Sequence, residues 1–149
     1  MTEPSITLEP AGSKGIDRVE AVLAANDLPN GDVRAKPECF YLARSDAAVV
    51  GVGGLEPHGE NGLLRSVVIG ESNRGRGYGA ALCDALEARA SEEGVGTLYL
   101  LTTTAAGFFR GRGYEALDRA AVPSAVRGTT EFTDLCPASA TCMRKPLDR

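Results

Sequence analysis

A chain of 149 residues with 43% hydrophobic content and a net charge of −4 has room for one domain around one core, and no surplus of basic charge with which to hold a nucleic acid. The longest apolar stretch, Ala47 to Leu55, is too short to span a bilayer, and no basic segment with an apolar one behind it opens the chain, so neither a membrane partner nor a signal peptide is expected. Cys39, Cys83, Cys136 and Cys142 form no CxxC pair, and reduced thiols in a cytoplasmic protein are the expectation.

In chain order, Ser5 to Glu9 reads as a first strand with Ile6 and Leu8 on one face. Ile16 to Asn26 reads as a helix, with Ile16, Val19, Val22 and Leu23 along one stripe, ended by Leu28-Pro29-Asn30-Gly31. Cys39 to Arg44 and Ala47 to Leu55 read as paired strands joined near Ser45-Asp46. A polar turn from Pro57 to Gly62 then leads into an apolar strand beginning at Leu63. A helix is expected from about Gly77 to Glu93, with Gly94 where a C-terminal cap belongs. Thr97 to Thr102 reads as a buried strand, Ala105 to Gly111 as a short helix and Tyr114 to Leu117 as a strand. Ser124 to Glu131 reads as a short helix and Ala140 to Lys145 as the last strand.

Between the Leu63 strand and the Gly77 helix lies Arg74-Gly75-Arg76-Gly77-Tyr78-Gly79. At such a junction the first amides of the helix lack partners within it, and they point where the helix dipole is positive. Glycine lets a large anion approach the main chain, and Arg74 and Arg76 add charge. The pattern describes a cradle for a diphosphate. Gly75-x-Gly77-x-x-Ala80 also fits a loose dinucleotide fingerprint, but the next strand ends in Thr102-Thr103-Thr104 where that fingerprint wants an acid. No GxxxxGK[ST] string is present. The bland alternative is a glycine turn that only packs a helix on a strand.

The run Arg74 to Gly79 matches the R/Q-x-x-G-x-G/A motif of the GCN5-related N-acetyltransferases, the GNAT superfamily. Its flanks fit too: Val67-Val68-Ile69 before it, and Phe108-Phe109-Arg110-Gly111-Arg112-Gly113-Tyr114 after it. The chain resembles that superfamily from the Ser5 strand to the Lys145 strand. The resemblance implies an α+β fold in a single domain, with a mostly antiparallel central sheet of about six to seven strands flanked by helices. It also implies acetyl-CoA as co-substrate, no metal, and a small amine as acceptor. By position, the main chain of Val67, Val68 and Ile69 would pair with the pantetheine arm. Arg74, Gly75, Arg76, Gly77, Tyr78, Gly79 and Ala80 would hold the diphosphate, with Phe109 and Arg112 beside the cofactor. Many members pair, so a homodimer is among the expectations.

The departures concern the chemistry. Where many members carry a tyrosine as general acid, this chain has Phe109, and where an asparagine often stands it has Thr102. Tyr114 occupies the position of a core aromatic. Water, or the hydroxyl of Thr103 or Thr104, is left to serve the departing thiolate. Direct transfer needs a group to take the amine's proton, and Glu56, at the end of a central strand, is the candidate base; the alternative is a solvated carboxylate at a hairpin mouth. His58, the only histidine, reads as a solvent-exposed turn residue.

On the acceptor side, Arg65 could clamp a carboxylate or form a cross-strand ion pair, and Ser66, Thr103 and Arg127 are further candidates. The Cys136-Pro137-Ala138-Ser139-Ala140 run resembles a GNAT subgroup of arsenic-resistance N-acetyltransferases, which implies an amino-acid-like or arsenic-containing acceptor. Cys136 and Cys142 could bind a soft ion, or be a loop thiol and a core thiol. A non-catalytic module that binds or senses acyl-CoA is the second functional class, kept open by Phe109.

Overall fold

The computed structural model describes residues 5–26, 33–46, 48–70, 73–75, 77–103, 105–129 and 140–147. Strand β1 (Thr7–Pro10) leads into helix α1 (Gly12–Ala25), which begins before the expected Ile16 and buries Gly15, Ile16, Val19 and Leu23. Strands β2 (Phe40–Ser45), β3 (Ala48–His58) and β4 (Asn61–Ile69) form a meander. The long polar turn expected from Pro57 to Gly62 is not there. β3 runs on through Pro57, which pairs with Gly62, and the reversal is confined to residues 59–60, with Gly59 at φ +73°. The β2 ladder on β3 ends at Gly54, so beyond it no described strand pairs with that side of β3, and a missing proline N–H is tolerated there.

Helix α2 (Tyr78–Glu92), strand β5 (Thr97–Thr102) and helix α3 (Ala106–Gly111) lie close to their expected bounds. Gly94, at φ +88°, ends α2 in the left-handed conformation that a C-terminal glycine supplies. Strand β6 (Glu115–Ala116) and helix α4 (Ser124–Arg127) are shorter than expected, and β7 (Thr141–Pro146) closes the described chain. Arg76, Thr104 and the segment from Glu131 to Ser139, with Cys136, lie outside the described residues.

The strands form one seven-stranded sheet in the order β1-β2-β3-β4-β5-β7-β6. Every pairing is antiparallel except β4–β5, as a mostly antiparallel mixed sheet requires. Leu82, Cys83, Leu86 and Ala90 of α2 and Phe109 of α3 cover one face, packed with Leu55, Leu64, Leu98, Leu100 and Met143. Since neighbouring residues on a strand face opposite ways, Leu63 and Tyr99 point to the other face. There they meet Val122, Val126 and Cys142, while α1 covers the β2–β4 half through Phe40, Leu42, Val52 and Val68.

Strand β4 departs from regularity in two places. Its register on β3 passes from Gly54↔Arg65 to Val52↔Val68, so β4 carries one residue more than its partner there. Ser66 sits at this bulge with φ +58°. The extra residue resets the alternation: Arg65 and Val68 share one face, while Leu64, Val67 and Ile69 share the other. The second irregularity is the short seam with β5, which runs only from Asn61↔Thr97 to Leu63↔Tyr99. Beyond Leu63 the pairing of the two parallel strands ends, and a wedge opens between them.

Candidate functional site

Beyond the last β5 pair, β4 continues through Val67, Val68 and Ile69, and the chain leads from its end through the glycine loop to the start of α2. Gly75 and Gly77 take φ +80° and +84°, a region that side-chain-bearing residues rarely occupy. Gly77 caps α2 without a side-chain hydrogen bond, so the amides of the first turn, Tyr78 to Ala80, keep their capacity to bind an anion. A Cβ at Gly75 would meet nothing, which leaves the loop open to a ligand. These features fit a diphosphate carried by a strand-like arm: the wedge for the arm, the loop for the anion.

Arg74 is engaged within the chain. Its Nε donates to the Ile69 carbonyl at 3.0 Å and its Nη2 to Asn26 Oδ1, so it ties the end of β4 to the end of α1. Tyr78 packs against the core, and Gly79 lies under the ring of Phe108. Phe109, expected beside the cofactor, is 8% exposed and stacks edge-on with Tyr114 in the core. Phe108, to which the motif gives no role, is the exposed ring of the pair and stands over α2's first turn. Arg112 pairs with Asp84 on α2.

Tyr114 donates its hydroxyl to Glu87 Oε2 at 3.0 Å, and Lys145 Nζ donates to the other oxygen at 2.8 Å. Burial, and then the Glu87 charge, push the Tyr114 hydroxyl far above the usual tyrosine range. It is a core group, as expected. Thr102 Oγ1 accepts the Ala105 N–H at 3.0 Å, which fixes the turn into α3. Thr103 is exposed at the open end of β5, and Arg127 is exposed on α4.

On the face away from α2, four polar side chains converge. The Glu56 side chain is 4% exposed, and its Oε2 accepts from Arg65 Nη1 at 3.0 Å. Its Oε1 lies 3.2 Å from Lys36 Nζ and 3.6 Å from His58 Nε2. Arg65 has no exposed side-chain surface, holds Ser66 Oγ from its Nε at 3.1 Å and stacks its guanidinium over Phe40 at 5.2 Å. Of the two roles left open for Arg65, the ion pair is the one formed. Glu56 is not the solvated carboxylate of a hairpin mouth, because β3 continues past it. His58, for the same reason, is a strand residue on the face of Glu56 rather than a loose turn histidine. Lys36 comes from the turn before β2, and no spacing in the sequence relates it to Glu56.

Among the described residues no group of three or more His, Cys, Asp or Glu side chains could hold a metal ion. None of the described helices is long and apolar enough to cross a membrane.

Comparison with known proteins bears on the fold and the family. An amino-acid acetyltransferase of Ectopseudomonas mendocina is 31% identical over 90 residues, which is 59% of this chain and 21% of that enzyme. The chain thus spans about a fifth of the curated relative it matches. N-acetylglutamate synthase of Neisseria gonorrhoeae, solved with coenzyme A and L-arginine, superposes with a TM-score of 0.81 at 18% identity, over 99% of this chain and 34% of the synthase. Rv2747 of Mycobacterium tuberculosis, solved in complex with CoA, gives 0.78 at 19% identity over 95% of this chain and 99% of that one. At such identities the superpositions speak for the fold. The family itself follows from residues 11–114, which match the acetyltransferase (GNAT) family across most of the sheet and all of the glycine loop, and the chain belongs to that family.

Proposed function

We propose that this protein transfers an acetyl group from acetyl-CoA to the primary amine of a small amino acid, by direct attack in a ternary complex. The observation that carries this reading is the pairing of two features across β4. A wedge ends at an uncapped helix N-terminus, and a buried, ion-paired carboxylate lies on the face away from α2. Bound acetyl-CoA supplies the activated thioester. The main chain of Val67, Val68 and Ile69 pairs with its extended arm, and residues 74–80, Arg76 among them, hold its diphosphate. An N–H of β4 beside the bulge stabilises the developing oxyanion. Glu56 takes the proton of the attacking amine, held in place by Arg65 and Lys36. Ser66, Thr103 and Arg127 are left to shape the acceptor pocket.

An amino acid as acceptor is supported by the curated relative's name. The arsenic-containing acceptor rests on the Cys136 to Ala140 run, most of which is outside the described residues, and is the less supported of the two. The test is release of free thiol from acetyl-CoA in the presence of α-amino acids and of amines lacking a carboxylate. Turnover is expected with the former, and Glu56→Gln is expected to lower kcat at least ~100-fold while coenzyme A still protects the chain against heat. Gly77→Glu is expected to abolish that protection. Protection by coenzyme A without thiol release on any amine would leave a binding module instead.

A further inference from the structure

We infer that His58 carries the acceptor's proton from Glu56 to solvent. The inference rests on Glu56 being the base, and it concerns what happens after the base has been used. A carboxylate with 4% of its side chain exposed has little direct access to water, yet it must shed the proton before the next turnover. The charged groups set around it are Lys36, from the turn before β2, and Arg65, from β4. Neither cation has a lone pair to offer. The Cys39 thiol is close enough to feel Glu56, but burial pushes it up to about 11, so it keeps its own proton.

His58 has the right chemistry and the right placement. It stands two residues after Glu56 on β3, so the pleat puts both side chains on one face. Its Nε2 lies 3.6 Å from Glu56 Oε1, is itself buried, and has no hydrogen-bond partner among the described residues. The side chain as a whole is 31% exposed, so the ring reaches from the buried carboxylate to water. The separation is longer than a hydrogen bond, and transfer needs a rotation of the ring toward Oε1. The acceptor's ammonium N–H bond breaks as an O–H bond forms on ionised Glu56. That proton passes to the lone pair on His58 Nε2, and the imidazolium so formed loses a proton to water. Glu56 is ionised again and the enzyme is back at its starting charge.

The chain has a single histidine, so its imidazole nitrogen signals need no assignment by mutation. Glu56→Gln is expected to shift the Nε2 resonance. His58→Gln is expected to lower kcat at least ~tenfold in weak buffer with the KM for acetyl-CoA unchanged, and free imidazole is expected to restore kcat. Imidazole should not restore Glu56→Gln. A His58→Gln enzyme with wild-type kcat in weak buffer would overturn the relay and leave Glu56 as the base. A loss that imidazole fails to repair would also overturn it, marking His58 as structural. Wild-type kcat in Glu56→Gln would remove the base itself, and the relay with it.

Discussion

Ser66 holds a backbone conformation that its side chain disfavours. A non-glycine residue at φ +58° is uncommon, and a β-branched one there is strained further. Ser66 also accepts the Nε–H of an arginine with no exposed side-chain surface. Ser66→Val is therefore expected to destabilise the fold by ~2–4 kcal/mol, adding backbone strain to a lost hydrogen bond at a buried charge, which a urea midpoint would read. At this scale the sequence was partly legible. Glu56 stood out as a carboxylate on a central strand. Its connection to His58 did not, because Pro57 between them suggests a turn, and proline stays in the strand where no described strand takes its missing N–H. Lys36 could not be found from sequence, since a contact across 20 residues leaves no periodic trace. Phe108 and Phe109 are adjacent, and a two-turn helix has too few positions to say which ring faces the core.

The elements were more legible than the contacts between them. Glycines at 77 and 94 bracket α2, and alternation marks the strands; both signals are local. The β4 bulge was not, because serine is no signal for a left-handed residue and the apolar pairs Leu63-Leu64 and Val67-Val68 on either side of Arg65-Ser66 show no alternation. The close packing of β3 against its neighbours depends on glycines whose roles differ. A Cβ on Gly51 would stand 2.2 Å from the Val68 carbonyl oxygen, which the β3–β4 ladder fixes in place. A Cβ on Gly53 would stand 2.7 Å from Leu86 Cδ1, the end of a side chain that can rotate. Gly51→Ala is expected to cost at least ~3 kcal/mol and Gly53→Ala ~1–2 kcal/mol, a difference that paired denaturant titrations would show.

For the whole molecule, the buried thiols set how stability falls in alkali. Burial pushes Cys83 up to about 12 and Cys39 up to about 11, and the same cause raises Tyr114 and Tyr41. An unfolded thiol ionises near ~8.5. Between that value and the native one, the folded chain keeps a proton that the unfolded chain has lost, so stability is full below ~8.5 and declines as pH rises toward the native value. Each buried thiol contributes at most ~1.4 kcal/mol per pH unit to the decline. Cys83→Ala is expected to be less stable at pH 7 but to lose less on going to pH 10, as unfolding at both pH values would establish.

The seam between the two halves of the sheet is only three residue pairs long, and the strands part beyond it. An occupant that hydrogen-bonds to β4 in that gap acts as a keystone, closing an arch whose two limbs otherwise lean on few shared bonds. Deuterium uptake by the amides of Val67 to Ile69 should slow when coenzyme A is added. The slowing should also extend to β5 and β7, strands on the opposite limb, because opening either side would then require expelling the stone between them.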